Sequence, residues 1–382
     1  MVRKIKNKVI VIGPNHYNTL GVIRSLGEED VPVNLILVSR KENYVSKSKY
    51  VDKVWLVNES ENEIISVLIN YFNNEKYKPI IIPTSDFVMK IIDNNFKLLN
   101  DKYILPNINN EPGRITKLMN KMEMNHLAME AGLTVPKSWE IGFNEGTLPF
   151  KEDITYPCIV KPLSSIDGKK EDIVICKNKT ELDKNLLILK NNYKRILIQE
   201  YIDGYDSKML EIIGCVTNSK EIIIPGIIEK IREYPLVAGS TSYALISKES
   251  KYIDINKVNN FLYKLNYVGI FDIEFKYSNG KPYFIEFNFR NGAPSYALTK
   301  AGVNIPYIWC LEAAGIGIDV LNKKIDKNLK LMMEVRDFRH VLNGDVKLRS
   351  WLTDLIQTKA FLFLNIKDMK PVVKSLLLKN RH

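Results

Sequence analysis

Two glutamates, an asparagine and an arginine occur at spacings that would place them together on one β-hairpin. Residues 269–296 read GIFDIEFKYSNGKPYFIEFNFRNGAPSY, and an Asn-Gly pair between two alternating apolar runs is a strong hairpin signal. Because side chains alternate along a strand, Glu286 and Asn288 share one face of the second strand. Folding at the Asn-Gly pair brings Glu274 and Glu286 nearly opposite each other. The apolar residues of the second strand are expected on the other face: Tyr283, Ile285 and Phe287.

Two facing carboxylates repel each other unless a cation lies between them, and Mg²⁺ is the simplest candidate. Mg²⁺ takes hard oxygen ligands and is commonly held by one or two carboxylates together with substrate phosphates. Arg290 follows Asn288 by two residues, so its guanidinium would lie beside the metal and bind a phosphoryl oxygen through two hydrogen bonds. The alternative for a single residue such as Glu274 is a solvated charge on the outer face of the hairpin.

Three further basic residues occur where an extended segment would present them to an anion. Lys161 ends the apolar strand YPCIVKP, where an ammonium group is unusual unless it meets an anion. Lys230 and Arg232 are two residues apart in EKIREYP, so an extended segment would place both on one side, facing a phosphate or a substrate carboxylate. The loop that follows contains Ser240 and would lie over the same cleft. Solvated charges on an edge strand are the alternative for this pair.

Composition narrows the class of protein. The 382 residues suffice for two or three domains, and the formal net charge of +11 suits nucleic acid, an anionic membrane surface or a polyanionic small substrate. Nucleic acid ranks last, because no basic stripe alternates with aromatic residues. The four cysteines form no C-x-x-C pair and the four histidines are scattered, so neither a disulfide framework nor a zinc site is indicated. No run approaches the ~20 apolar residues of a membrane span, and we expect a cytoplasmic protein with reduced thiols.

The N-terminal part of the chain alternates predicted strands and helices. A buried-type strand over 8–13, a loop with one glycine, a helix and a strand over 33–38 predict a parallel, Rossmann-like α/β unit. Because the G-x-G-x-x-G motif is absent, dinucleotide binding is only weakly supported and an NAD-dependent oxidoreductase is disfavoured. His16, in the first loop, is a candidate substrate contact. Asp86 either caps the following helix or lines the cleft, with capping favoured.

The middle and C-terminal parts give less specific patterns. Apolar spacing predicts one helix over 116–132, carrying Lys121. Strands are predicted over 210–216 and 221–228, and a further helix over 254–267. The segment WLTDLIQ predicts an amphipathic helix packed on the body. The basic and apolar VVKSLLLKNRH either docks on the body, which is favoured, or touches a membrane surface.

The string E-F-K, a turn and E-F-N-F-R resembles the magnesium-binding end of the ATP-grasp ligases. The resemblance implies Mg²⁺, replaceable by Mn²⁺, on three ligands: Glu274, Glu286 and Asn288. It implies catalytic roles for Arg290, on the phosphoryl group in flight, and for Lys161. It also implies an ATP site assembled from separate segments: Lys121 and Lys161 at the phosphates, Gln199, Glu200 and Ile202 at the adenine, and Asp206 at the ribose. SSIDGKKEDIVIC corresponds to the phosphate-covering lid loop, with fewer glycines than most such loops.

The resemblance covers about residues 1–330 and implies an α/β (α+β) architecture, the ATP-grasp fold. GPNHYNTLGVIRSLG, SKSKYVDK and PTSD resemble the pre-ATP-grasp domain that forms one wall of the acceptor site in that group. The implied divisions are an N-terminal Rossmann-like pre-ATP-grasp domain (1–110), a linker helix with a small lid subdomain (111–205), a larger C-terminal α+β subdomain with the Mg²⁺ site (206–330) and a C-terminal extension packed on the body (331–382).

The implied activity is ATP-dependent C–N bond formation, in which a carboxylate is phosphorylated and an amine attacks the acyl phosphate. The chain most resembles carboxylate–amine ligases of the D-aspartate ligase type, which join an amino acid to the amine of a cell-wall precursor. A nucleotide-linked, polyanionic acceptor suits the basic chain. The substrate contacts assigned on this basis are Lys230, Arg232, Ser240, Asn291 and His16. Amidation of a surface glycan, dipeptide formation and a non-catalytic nucleotide-binding sensor stay open, as do a homodimer and peripheral membrane contact.

Overall fold

A parallel α/β unit forms the N-terminal part of the computed structural model, which describes residues 4–41, 43–143, 153–163, 172–203, 208–236 and 239–379. Its elements are β1 (Val9–Pro14), α1 (Tyr17–Gly27), β2 (Val33–Val38), a 3₁₀ turn (Val45–Lys47), β3 (Val51–Val57), α2 (Glu61–Phe72), β4 (Ile80–Pro83), α3 (Asp86–Asn94) and α4 (Phe96–Leu99). The strand order is β3-β2-β1-β4, with every pair parallel. The parallel unit predicted from the sequence is confirmed. Because β1 and β4 are parallel neighbours, the loops that follow them open at the same sheet edge.

The helix predicted over 116–132 is interrupted. After the short strand β5 (Asn107–Ile108), the chain forms α5 (Arg114–Leu118) and then α6 (Lys121–Glu130). Asn120 lies between them with an extended backbone, and its side chain accepts hydrogen bonds from the backbone N–H groups of Met122 and Glu123. An asparagine in this position begins a new helix, because its side chain takes over as the N-cap. Lys121 is therefore the first residue of α6.

A small antiparallel sheet follows. It contains β6 (Ser138–Gly142), β7 (Cys158–Pro162), β8 (Val174–Cys176) and β9 (Arg195–Glu200), in the order β6-β9-β7-β8, with α7 (Lys179–Leu189) against it. Its core of buried residues includes Val160, Leu182 and Ile198 and is separate from the larger cores of the chain. The sheet therefore packs as a unit of its own and presents the end of β7 to the cleft described below.

The largest sheet joins nine of the described strands, with the main order β15-β14-β10-β12-β13-β16-β17. Its strands, besides β5, are β10 (Lys208–Val216), β11 (Ile222–Ile223), β12 (Ile227–Tyr234), β13 (Ser240–Ser247), β14 (Tyr267–Ser278), β15 (Lys281–Asn288), β16 (Leu329–Met332) and β17 (Thr358–Phe361). Three helices accompany it: α8 (Ile255–Leu265), α9 (Ser295–Lys300) and α10 (Ile305–Ala313). The strand predicted over 221–228 is split into β11 and β12. Pro225 lies in the gap and has no N–H to donate to a neighbouring strand.

The C-terminal residues belong to the body of the fold. β16 and β17 extend the large sheet beyond β13, and the remaining elements are α11 (Glu334–Leu342), α12 (Leu348–Gln357) and α13 (Lys370–Lys379). Asp368, in the loop before α13, accepts a hydrogen bond from Arg24 of α1 at 3.0 Å, and both side chains are fully buried. This ion pair ties the C-terminal loop to the N-terminal unit. Among the described residues, every helix is too short or too polar to cross a bilayer.

Candidate active site

A β-bulge determines which residues of the β14–β15 hairpin share a face. At the turn, Ser278 pairs with Lys281, and continuing that register would pair Glu274 with Ile285. The register shifts by one residue between Glu274 and Phe275, so that Glu274 pairs with Glu286 instead. Opposed residues of an antiparallel pair lie on the same face. The prediction that the two glutamates lie opposite each other is confirmed. The bulge at Ile285 causes this pairing.

The same bulge corrects the predicted position of Ile285, whereas Phe287 is buried in the core as predicted. Phe284 is fully buried in the core, whereas Ile285 lines the cleft beside Glu286. The sequence pattern placed Ile285 on the core side with Tyr283 and Phe287, which assumed regular alternation. A bulge inserts one extra residue and reverses the facing of every residue on one side of it.

A third strand adds a carboxylate that the sequence reasoning missed. Glu211 of β10 pairs directly with Glu274 of β14, and Asp272 of β14 pairs with Asn288 of β15. Carboxylate oxygens of Glu211, Asp272 and Glu274 lie within 4.8 Å of one another. Glu211 occurs as a lone acidic residue in the apolar strand LEIIGCV, which is the signal that could have identified it.

This donor set fits a hard divalent cation. Burial raises the pKa of Glu211 to about 7, and burial also raises the pKa of Asp272 well above its usual range. Asp272 Oδ1 is buried and has no hydrogen-bond partner among the described residues, which is costly unless a cation or a donor meets it. Oxygen ligands from carboxylates and an amide are those that Mg²⁺ prefers.

Lys230 partly neutralises the carboxylate group. Its Nζ donates a hydrogen bond of 2.9 Å to Glu274 Oε2, and its side chain is 6% exposed. Burial alone would lower the pKa of Lys230, but attraction to Glu274 and Glu211 raises it above its ordinary value. Lys230 therefore lies in the cleft as predicted, with its ammonium group on the carboxylates.

Arg232 does not face the cleft, which corrects its assignment as a substrate contact. A second bulge, between Lys230 and Arg232, reverses the facing of β12, so the two cations do not share a side. Arg232 instead forms a bidentate pair with Asp337 and donates a hydrogen bond of 2.7 Å to Asp354. Its partners belong to α11 and α12, and its role is to hold these helices on the sheet.

Arg290 forms a bidentate pair with Asp86 from the N-terminal unit. Arg290 Nε donates to Asp86 Oδ1 at 2.9 Å and Nη2 to Oδ2 at 3.3 Å, while Nη2 also donates to Asn288 Oδ1 at 3.1 Å. Burial acts to lower the pKa of Arg290, but attraction to Asp86 and Asp272 raises it above its usual value. The helix cap expected of Asp86 is made by Ser85, which accepts from Val88 N. Asp86 thus lines the cleft, the alternative that the sequence disfavoured.

Lys161 is a buried cation on the opposite wall of the cleft. Its Nζ donates to Gln199 Oε1 at 2.9 Å, and only 8% of the residue is exposed. Burial lowers the pKa of Lys161 to about 8, and repulsion from Lys121 acts in the same direction. Among the described residues no carboxylate is in hydrogen-bond contact with Lys161, and a buried ammonium group of this kind is well suited to an anionic ligand. Lys121, at the start of α6, lines the same cleft.

These residues meet in one cleft of about 580 Å³, between the small sheet, the large sheet and the loops after β1 and β4. The predicted site residues that line it are His16, Lys121, Lys161, Gln199, Glu200, Ile202, Lys230, Ser240, Glu274, Glu286, Asn288 and Arg290. Asp206 and the glycine-poor part of the lid loop (164–171) lie outside the described residues.

Asn291 is buried beneath the cleft and does not line it. The residue is fully buried, and its Nδ2 donates to Asn18 Oδ1 at 2.6 Å and to Ser295 Oγ at 2.7 Å. Asn18 lies on the cleft wall and also donates to the Asn291 carbonyl oxygen at 2.8 Å. Its assignment as a substrate contact is corrected: Asn291 supports Asn18. His16 lines the cleft and is the N-cap of α1, where its Nδ1 accepts a hydrogen bond from Asn18 N at 3.2 Å.

The central part of the chain is similar in sequence to known proteins. Residues 118–294 match the ATP-grasp domain family. The large chain of carbamoyl phosphate synthase from Thermoanaerobacter sp. (strain X514) is 24% identical over 239 residues, which cover 59% of this chain and 20% of that protein. The corresponding chain from Buchnera aphidicola is 26% identical over 179 residues, 45% of this chain and 15% of that one. The chain thus spans a fifth or less of these two curated relatives.

Solved structures resemble the chain over most of its length. N5-carboxyaminoimidazole synthetase from Staphylococcus aureus aligns with a TM-score of 0.65 and 15% identity, covering 89% of this chain and 86% of that one. L-amino acid ligase from Bacillus licheniformis aligns with a TM-score of 0.63 and 16% identity, covering 86% and 79%. At this identity the likeness concerns the fold. The predicted fold class, a mixed α/β ATP-grasp fold, is confirmed.

Proposed function

We propose that this chain, which has an ATP-grasp fold, is an ATP-dependent ligase that forms an amide from a carboxylate and an amine, with ADP and phosphate as the other products. The observation that carries the proposal is the composition of the cleft. Four of its carboxylates (Glu211, Asp272, Glu274 and Glu286) line the same cleft as four of its basic residues (Lys121, Lys161, Lys230 and Arg290). Binding of a polyphosphate with its metal needs this combination, whereas binding of a neutral ligand does not.

In the proposed reaction, ATP converts a carboxylate into an acyl phosphate, from which phosphate can leave. A carboxylate is a poor acylating agent, so its oxygen first attacks the γ-phosphorus of ATP, the bond from that phosphorus to the bridging oxygen breaks, and ADP departs. The amine nitrogen then attacks the acyl carbon, loses a proton and expels phosphate. The protein supplies orientation and charge, and no covalent nucleophile is required.

Three cations are assigned to the phosphates. Lys161 and Lys121 would bind the ATP phosphates from the side of the small sheet and α6. Arg290 would stabilise the phosphoryl group during transfer, because Asp86 and Asn288 hold its guanidinium in one orientation. Fixed donors of this kind stabilise developing charge without reorganising during the reaction.

The metal ligands are proposed to be Glu274, Glu286 and Asn288, with Glu211 and Asp272 beside them. When bound, Mg²⁺ or Mn²⁺ neutralises charge on the ATP phosphates. Lys230 holds the Glu274 carboxylate in place through its hydrogen bond. Glu211 and Asp272 lie in adjoining register positions and would offer further carboxylate oxygens, whose charged forms a bound cation favours.

The nucleoside would bind where β9 ends. Gln199 is bonded to Lys161 and also donates to Ser138 Oγ at 2.9 Å, while Ile202 is buried at the cleft wall. Glu200 pairs with the backbone of Lys137 on the neighbouring segment, which fixes the course of the chain at this point. These contacts support an adenine site at Gln199, Glu200 and Ile202. The ribose contact stays assigned to Asp206.

For the substrates, we propose a D-aspartate-ligase-type reaction that joins an amino-acid carboxylate to the amine of a polyanionic cell-wall or surface-glycan precursor. His16 and Ser240, which line the cleft together with Lys230, are the proposed substrate contacts. The charge of +11 favours a polyanionic acceptor. We place the reaction in the cytoplasm, with ATP and reduced thiols; the four cysteines are free and buried.

Phosphate release from Mg-ATP by the purified protein tests the proposal. The protein is incubated with D- and L-amino acids, with and without peptide or nucleotide-sugar acceptors, and the products are identified by mass spectrometry. We expect phosphate and an amide only with a particular carboxylate and amine, and loss of both in Glu286→Gln. Glu229→Gln, on the same sheet but paired with Lys208 outside the cleft, is the matched control and should stay active. ATP binding without turnover on any pair would instead indicate a nucleotide-binding module.

A further inference from the structure

Helix α13 carries apolar side chains on its outer face. Met369 just before the helix, and Val373, Leu376 and Leu377 within it, are between 41% and 56% exposed, and Ile366 in the preceding loop is 92% exposed. Residues three and four apart lie on one side of a helix, so Val373, Leu376 and Leu377 form one stripe, and Met369 and Ile366 expose further apolar side chains before its first turn. We call the five residues the α13 face. A stripe this apolar on the solvent side is unusual unless another surface covers it.

The helix is held in this orientation by its inner side. Val372 is 5% exposed and belongs to the same core cluster as Val45 of the 3₁₀ turn, which α13 contacts. The buried pair between Arg24 and Asp368 fixes the loop immediately before the helix. The outward direction of the α13 face is therefore set by packing on the opposite side.

The border of the α13 face is basic. Lys367, Lys370 and Lys374 flank the stripe, and the exposed Lys47 lies on the turn that the helix contacts. Between residues 362 and 379 the only acidic residue is Asp368, whose charge is buried against Arg24. An apolar stripe beside several lysines matches a surface that is apolar inside and negatively charged outside.

We propose that the α13 face docks on an anionic lipid bilayer, with the helix lying in the plane of the membrane surface. The ten residues of α13 span about 15 Å, roughly half of a bilayer's hydrocarbon core, so the helix fits an interfacial position. A second copy of the chain is the less suitable occupant. In a two-fold contact the same basic border would face itself, and like charges would oppose the association.

Vesicle co-sedimentation tests the proposal directly. The full chain is mixed with vesicles of phosphatidylcholine alone or of phosphatidylcholine with phosphatidylglycerol, at low and at high salt. At low salt, we expect the apparent affinity for the anionic vesicles to exceed that for phosphatidylcholine vesicles by about tenfold or more. The difference should shrink at high salt, because salt screens the lysines. No binding to either vesicle, or equal binding to both, would overturn the proposal.

Two variants and a matched control assign the binding to this face. Val373→Glu/Leu377→Glu should abolish binding, and Lys367→Ala/Lys370→Ala should weaken binding to anionic vesicles while leaving the circular dichroism spectrum unchanged. Leu187→Glu/Ile188→Glu changes two similarly exposed residues of α7, 58% and 55% exposed, and should bind as the unaltered chain does.

Light scattering without vesicles gives a separate readout. The proposal predicts the same molar mass for the unaltered chain and for Val373→Glu/Leu377→Glu. A lower mass for that variant would identify the α13 face as a subunit interface and refute membrane docking.

Discussion

Arg290 at the end of the β14–β15 hairpin and Asp86 at the start of α3 form a bidentate pair that joins the N-terminal unit to the large sheet, with nitrogen–oxygen distances of 2.9 and 3.3 Å. The pair places a carboxylate behind a guanidinium whose Nη2 also donates to Asn288 Oδ1, while its third nitrogen, Nη1, donates to the Asn291 carbonyl oxygen. Asp86 is thus a positioning residue for Arg290. The contribution of Asp86 to turnover can be measured separately from ATP binding, because Asp86 holds Arg290 in one orientation and is not assigned as an ATP contact.

Asp86→Asn should lower the turnover number for phosphate release about tenfold and leave the ATP dissociation constant nearly unchanged, because orientation is lost and the cation is kept. Steady-state kinetics and calorimetric ATP titration check the two quantities separately. Asp101→Asn, at an exposed position, is the control. An unchanged turnover number in Asp86→Asn would show that Arg290 needs no such support.

Glu211→Gln should weaken Mg²⁺ binding, because the register of β10 places this carboxylate directly beside Glu274. A loss of about tenfold in affinity corresponds to about 1.4 kcal/mol of binding free energy. The measurement is the Mg²⁺-dependent rise of the melting temperature, which follows from binding to the folded state alone. Glu229→Gln should keep the full rise, and an equal rise in Glu211→Gln would remove Glu211 from the metal site.

ATP binding should weaken as the pH rises through about 8, because the folded-state pKa of Lys161 is lowered to about 8 by burial. Below that pH the ammonium group is charged and can pair with phosphate; above it the free protein loses the charge. The dissociation constant for ATP should then rise by up to about tenfold per pH unit. Titrations between pH 7 and about 9.5 measure this, and Lys161→Met should bind weakly with no such dependence. Equal slopes in both proteins would assign the effect to another group.

Asp368→Asn should lower the free energy of unfolding by about 3 to 5 kcal/mol, because it leaves the fully buried Arg24 without its counter-charge. Urea unfolding followed by circular dichroism measures the change. Glu75→Gln breaks the exposed pair with Lys8 and should cost less than about 1 kcal/mol. Similar effects of the two substitutions would mean that the buried pair contributes little more than an exposed one.

The local elements of this protein are predictable from the order of its residues. The parallel order of β1 to β4 follows from short buried strands alternating with helices. The hairpin turn follows from Asn279-Gly280, whose backbone φ angles of 50° and 77° are those that this residue pair adopts readily. Lys161 was found for a related reason, because an ammonium group at the end of an apolar strand is a local signal. Lys121 was assigned only from the resemblance to the ATP-grasp ligases, and Lys230 from its spacing to Arg232.

Which of these residues come into contact depends on long-range packing. The bulge at Ile285 brings Glu286 and Asn288 to the face of Glu274, and the bulge after Lys230 turns Arg232 away to Asp337. Such an extra residue is selected by packing on both sides of the sheet, which a one-strand pattern does not contain. Asp86 and Glu211 reach the site through long-range pairing, across 204 residues to Arg290 and through strand register to Glu274. Contacts of that separation depend on how the sheets pack, so the residues that complete the site became visible only in the folded chain.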